Sequence, residues 1–290
     1  MGNDAKDKKP KVIKPLRELN LEDDFMFGKV MQNTDILCRV ISMLLRMDIK
    51  SVEFMNSQQV FQNYYDNKGV RLDVYATDEK GTVYNVEVQS APKDNLFKRS
   101  RYYQSTMDAA LLPKGKRYTE LRDSYVIFIS TFDLFGKGRH IYTCSTICEE
   151  DTTIRVSDGT KRIFVNTKGT LENEVTDDVK LFLKYVEHST TETIAETDSE
   201  FFRRLHEVVE AIRVDPKLEV EYMTTLTREQ DIWEDGKIEG KIEKGIEDAV
   251  NIIKEFGAKP LKALRTVELP EDNLGDLIKL LTERGISYQN

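Results

Sequence analysis

Between residues 70 and 89 the chain alternates apolar and polar positions with the two-residue period of a strand. Over residues 70–78, Leu72, Val74 and Ala76 fall on one face and Arg71, Asp73 and Tyr75 on the other. Glu79-Lys80-Gly81 has turn chemistry. Residues 82–89 alternate again, with Tyr84, Val86 and Val88 on one face. The pattern predicts a hairpin. Upstream, a helical pattern begins near Leu21. Thr34 is expected to cap the next helix, which stripes Ile36, Leu37, Val40, Ile41, Leu44 and Leu45 along one side. A strand-like run follows over residues 51–61. Downstream, a helix is expected over residues 94–112. The near-continuous apolar run at 125–131 reads as a strand buried on both faces. Further strands are expected at 140–147 and 162–167, with Asp158-Gly159 as a turn.

From about Glu172 the pattern becomes helical and acidic. Residues 236–256 place Ile238, Ile242, Ile246, Val250 and Ile253 three to four apart, while Gly236, Gly240 and Gly245 interrupt the other side. Each interior glycine costs roughly 1 kcal/mol of helix stability, so this helix is expected to need a partner surface. A tethering coiled-coil or bundle helix fits, with homo-oligomerisation through the C-terminal helices as one outcome. The expected organisation is a flexible basic arm (1–16), a core (17–170), a helical extension (171–235) and an amphipathic helical tail (236–290).

The hairpin's register concentrates the candidate chemistry. A three-residue loop at 79–81 sets Asp78 opposite Thr82, Asp73 opposite Glu87 and Arg71 opposite Gln89. An even-numbered loop would send the two carboxylates to opposite faces. Directly opposed like charges destabilise a sheet, so the pair calls for a reason. A hard divalent cation held by one or two carboxylates supplies one. The Val88 carbonyl could add a ligand, and Gln89 could orient a water. The alternative is a solvated face with the two acids splayed apart.

Charge modifies this picture. The net charge of −8 is uneven: residues 190–290 hold 23 acids and 14 bases, residues 1–189 hold 28 and 29. Residues 93–122 carry eight bases (Lys93, Lys98, Arg99, Arg101, Lys114, Lys116, Arg117, Arg122) against three acids. A local basic face can meet phosphates although the chain is anionic; an ordinary solvated helix face is the plainer reading. No apolar run of eighteen residues exists, so no membrane span is expected. Three cysteines and a polar, lysine-rich start fit a reducing cytoplasm. His140, His188 and His206 have no partner at metal-ligand spacing. The pair Cys144 and Cys148 lacks the second pair a zinc site needs. No glycine-rich phosphate fingerprint is present.

Asp73 followed by Glu87-Val88-Gln89 resembles the core motif of the PD-(D/E)XK nuclease superfamily. Within it, the transposase-like recombination-promoting nucleases, in which glutamine is common at the third position, are more similar still. Asp24-Phe25-Met26-Phe27 resembles the first-helix Asp-x-x-Phe signature, though Gly28 stands where lysine is usual. Arg99-Ser100-Arg101-Tyr102-Tyr103 resembles the R-x-x-Y-Y helix, residues 112–121 resemble the segment before the buried strand, and residues 236–248 resemble the low-complexity C-terminal helix. The resemblance covers residues 16–170 well and the tail loosely. It implies an α/β, restriction-endonuclease-like core with a mixed central sheet flanked by helices, plus a C-terminal helical extension. It also implies a Mg²⁺-dependent DNA endonuclease, with Mn²⁺ as a substitute, serving mobile-element, recombination or phage-defence biology. On that reading Asp73, Glu87 and Gln89 are catalytic. Asp73, Glu87, the Val88 carbonyl and Asp24 are metal ligands, and Arg99 and Tyr103 meet substrate phosphate. Alternatives stay open: Asp24 as an ordinary first-turn acid, Tyr103 as core, and Arg99 as an ion-pair partner of Asp73 or Glu87. Because Gln89 replaces a lysine, the scaffold could instead serve as a catalytically weak DNA-binding or assembly module.

Overall fold

A computed structural model describes residues 14–55, 73–92, 95–171, 173–195 and 197–288. The chain divides into two compact units, Met1–Glu219 and Val220–Asn290.

The first unit is built on a six-stranded mixed sheet. In chain order its strands are β1 (Val52–Phe54), β2 (Val74–Asp78), β3 (Val83–Gln89), β4 (Ser124–Ser130), β5 (Ile141–Cys144) and β6 (Thr160–Asn166), and their spatial order is β1-β2-β3-β4-β6-β5. β3, β4 and β6 run parallel to one another; β1, β2 and β5 join antiparallel. Central β3 and β4 are buried along their whole length, as the apolar run at 125–131 leads one to expect. This mixed sheet flanked by helices is the α/β core expected from the sequence. Of the run at 51–61, residues 56–61 lie outside the described residues, as do Val70, Arg71 and Leu72.

Five helices of this unit follow from amphipathic stripes. They are α1 (Asp24–Val30), α2 (Thr34–Leu45), α3 (Leu96–Leu111), α4 (Asp177–Glu187) and α6 (Glu200–Arg213); a single turn, α5 (Thr191–Ile194), links the last two. The cap of α2 is Asn33 rather than Thr34. The Asn33 side chain accepts from the N–H groups of Asp35 and Ile36, a reach that Thr34, already inside the first turn, does not have. Ile36, Leu37, Val40, Ile41 and Leu44 are buried and Leu45 half-buried. α3 covers one face of the sheet, where Tyr103 and Met107 meet Val126, Phe128 and Phe164. Of the arm expected over residues 1–16, residues 1–13 lie outside the described residues. Lys14 pairs with Asp23 at 3.3 Å, and Leu16 is buried.

α7 runs unbroken over Pro216–Phe256. Within the second unit its Ile246, Ala249, Val250 and Ile253 pack with Ala263 and Leu264 of α8 (Pro260–Thr266) and with Leu277 and Leu281 of α9 (Leu274–Glu283). The C-terminal half of the isoleucine stripe therefore finds its partner surface within the chain, while Ile238 stays exposed. Gly245 is required there, since a Cβ would lie 2.7 Å from the Leu269 side chain; Gly236 and Gly240 face open space.

Candidate active site

The loop joining β2 to β3 sets the geometry of everything above it. Asp78 N–H donates to the Thr82 carbonyl at 3.0 Å and Gly81 N–H to the Asp78 carbonyl at 3.0 Å. Gly81 sits at φ +85°, open to glycine at little cost. The buried Asp78 carboxylate pins this loop. It accepts from the N–H groups of Lys80 (2.9 Å) and Thr82 (2.8 Å) and from the Tyr84 hydroxyl (2.8 Å). The resulting register pairs Thr77 with Val83 and Val74 with Val86. Continued one step beyond the paired residues, the same register leads Asp73 toward Glu87, and the Asp73 N–H meets the Glu87 carboxylate there. Arg71, expected opposite Gln89, lies outside the described residues.

Alternation along β3 sorts the groups. Val83 and Gln89 turn their peptide groups toward β4, so Val88 turns its own toward β2. There the Val88 N–H reaches the Asp73 carboxylate. The side chains of Asn85, Glu87 and Gln89 share the face covered by α3, and all three are buried. Asp73, just before β2, is exposed over the residue as a whole, while its carboxyl group is drawn in toward Glu87. Its N–H donates to Glu87 Oε1 over 3.2 Å.

Arg99, in the first turns of α3, closes the site. Its Nη2 donates to Glu87 Oε2 at 2.7 Å, its Nη1 to Gln89 Oε1 at 2.7 Å, and its Nε to the Tyr103 hydroxyl at 2.8 Å. The guanidinium also lies 5.2 Å from the ring centroids of both Tyr103 and Phe128. The four-residue spacing of Arg99 and Tyr103 puts them on one helix face, as expected. The structure makes Arg99 the ion-pair partner of Glu87 and places Tyr103 in the core.

The electrostatics are those of two acids with too little positive charge. Burial raises the pKa of Glu87, against the charge of Arg99 and the hydrogen bond from Asp73 N–H. Desolvation, then the charges of Glu87 and Asp24, push Asp73 up to about 8, while Arg99 and the Val88 N–H pull it down. Burial of Arg99 works against its charge, but Tyr103 and Glu87 more than offset this and raise its pKa.

Two opposed carboxylates with a peptide group turned to the same side form a hard-oxygen donor set that fits a divalent ion such as Mg²⁺. Among the described residues no three His, Cys, Asp or Glu side chains converge as a metal-holding group. Asp24 opens α1 at an exposed position, near enough for its charge to be felt at Asp73.

A family model for PD-(D/E)XK nuclease family transposases matches residues 24–235, a span holding the whole hairpin, α3 and the buried strand β4. The chain belongs to that family. No curated protein and no solved structure matches it.

Two further residues of this PD-(D/E)XK nuclease family protein belong to the site but were not singled out from the sequence. Phe128 lies beside Glu87 across the parallel β3–β4 pair and under the Arg99 guanidinium. Nothing in a run of apolar residues marks one aromatic as a cation's platform. Asn85 had a legible signal: it precedes Glu87 by two positions, so it shares that face, and neither polar atom of its buried amide has a hydrogen-bond partner among the described residues. The histidines are structural where they are bonded. His206 joins the Tyr185 hydroxyl at 2.8 Å and Thr191 at 3.1 Å.

Proposed function

We propose that this chain is a metal-dependent DNA endonuclease that hydrolyses phosphodiester bonds at the Asp73–Glu87 pair. The observation that supports this most directly is the convergence of Asp73, just before β2, on Glu87 of β3, the Asp73 N–H reaching the Glu87 carboxylate at 3.2 Å, above a loop whose odd length sets that register. Membership of a nuclease family of transposases supports DNA as the substrate. Asp73 and Glu87, with the Val88 carbonyl beside them, would hold Mg²⁺ or Mn²⁺, which supplies Lewis acidity toward a phosphodiester oxygen and an attacking water when bound. Gln89 uses its amide to orient that water. It cannot serve as a conventional base or add positive charge. Arg99 is the only described cation on the pair, and its fork is shaped for a phosphate as well as for a carboxylate. Arg99 would present that fork to the substrate phosphate, with Tyr103 holding its Nε, when Glu87 serves as a metal ligand. Asp24 is assigned an outer role, adding negative charge near Asp73.

Incubation of supercoiled plasmid with Mg²⁺, Mn²⁺ or EDTA tests this reading. Nicking with either metal, absent in EDTA and reduced at least about 10²-fold by Asp73→Ala or Glu87→Gln, is expected. A second reading, a nuclease-fold DNA-binding module without cleavage, draws on the full engagement of Glu87 and Gln89 by Arg99. Salt-sensitive DNA binding with no metal-dependent nicking would decide for it and against hydrolysis.

A further inference from the structure

On the sheet face opposite the acid pair lies a cavity of about 490 Å³ that the nuclease reading leaves without a task. Tyr125 and Lys161 alternate along their strands with Val126 and Arg162, and Val126 belongs to the cluster beneath α3. Tyr125, Lys161, Ile163 and Thr143 therefore line the cavity from the far side of the sheet. Its remaining wall comes from the end of α2 and from residues 173–175. The volume lies within the range of small-molecule sites, roughly 300–1,000 Å³.

The lining combines two chemistries. Three cations, Arg46, Arg139 and Lys161, stand against one carboxylate, Glu174. The two arginines converge on that residue, Arg139 on its carboxylate and Arg46 on its carbonyl oxygen. Arg46 does so from a left-handed backbone conformation, φ 54°, at a helix C-cap where glycine is the usual residue. Lys161 has no carboxylate partner among the described residues. Its ammonium lies 4.9 Å from the ring centroid of the buried Tyr125. The rest of the wall mixes the hydrophobic side chains of Leu44, Met47, Ile141 and Val175 with the polar Thr143 and Asn173.

We infer that this cavity binds a nucleoside 5′-phosphate, its phosphate between Lys161 and the Arg46–Arg139 pair and its flat base against the apolar wall. The excess of positive charge selects an anion, and two guanidiniums from separate elements suit a phosphate's several oxygens. The apolar area calls for more than inorganic phosphate. A free nucleotide and the 5′ end of a strand present the same group, so the test carries both.

Calorimetric titration of the full chain in EDTA with AMP, adenosine, inorganic phosphate and a 5′-phosphorylated hexanucleotide tests the proposal. AMP or the hexanucleotide should bind one to one, at least tenfold tighter than adenosine or phosphate. Lys161→Gln, which breaks no described ion pair, should weaken binding about tenfold with Tm unchanged, and Arg139→Ala should weaken it further. Glu87→Gln should leave it intact. If AMP binds, the source is a free nucleotide; if only the hexanucleotide does, it is a strand end. Absence of saturable binding at about 1 mM, phosphate binding as tightly as AMP, or binding lost in Glu87→Gln but kept in Lys161→Gln would each overturn the assignment. Plasmid nicking is read separately, so failure here leaves the nuclease reading standing.

Discussion

At the scale of single residues, the site is a contest between burial and charge. The Glu87 carboxylate is 1% exposed and the Arg99 side chain 23%. Removing one partner of such a pair leaves an uncompensated buried charge, which typically costs about 3–5 kcal/mol. Arg99→Ala is therefore expected to destabilise the metal-free protein by about 3 kcal/mol in urea titrations. The double variant Arg99→Ala/Glu87→Gln should recover much of that loss, because the stranded carboxylate is gone. If the double variant is as unstable as the sum of its singles, the pair is not coupled. Asp73 sets a pH dependence of definite sign. Its folded pKa, about 8, lies above the ordinary value of 3.8. The folded state thus holds the proton more tightly, and stability present below pH 4 is lost as pH rises toward 8. Asp73 is exposed over the residue as a whole although its carboxyl group is drawn in beside Glu87, so solvent screening holds the effect to about 1 kcal/mol, roughly 2–4 °C in Tm. Metal-free Tm should fall across that window, Asp73→Asn should flatten the slope, and Mg²⁺ should restore stability at pH 8. A slope unchanged by Asp73→Asn would remove Asp73 as its source.

Among the elements, the β2–β3 hairpin carries the most. Asp78 offers a carboxylate to two backbone N–H groups and to the buried Tyr84 hydroxyl. Asp78→Ala strands those donors and is expected to cost about 2–4 kcal/mol. It should also loosen the register that opposes Asp73 and Glu87, so nicking activity should fall more than folded population does. An activity loss that only tracks the folded fraction, compared by circular dichroism, would separate the loop from the register. Much of this hairpin was legible because a period of two and an odd loop act over neighbouring residues. The 125–131 strand was legible from its apolar run alone. What was not legible depends on distant partners. The parallel pairing that sets Phe128 beside Glu87 joins segments some forty residues apart, and no local pattern records it. The pinning role of Asp78 was not legible because its partner hydroxyl, on Tyr84, belongs to the opposite strand. Asn33 and Thr34 are both good caps, and tertiary position chose between them.

For the whole molecule, the sequence's charge count needs correction by structure. Eight bases between residues 93 and 122 suggest a phosphate-binding face. Lys93 lies outside the described residues, Arg99 is held by Glu87 and Gln89, and Lys116 and Arg117 both pair with Glu120. That leaves Lys98, Arg101, Lys114 and Arg122 with no acid partner among the described residues. The acidic C-terminal third, at −9, contributes long-range repulsion that salt screens within about 10 Å at 0.1 M. Neutralising about four phosphates predicts a slope near −3.6 for log K against log salt on duplex DNA. Raising salt from 50 to 200 mM should then weaken binding roughly 100-fold. Fluorescence anisotropy with a labelled duplex in EDTA measures this slope. A value near −5.4 would mean that DNA pulls Lys116 and Arg117 off Glu120. Arg99, held by Glu87 and Gln89 in the metal-free protein, is expected to add no phosphate contact in EDTA, so Arg99→Ala should leave the slope unchanged. A slope shallower by about 0.9 in Arg99→Ala would instead place Arg99 on the DNA without any metal.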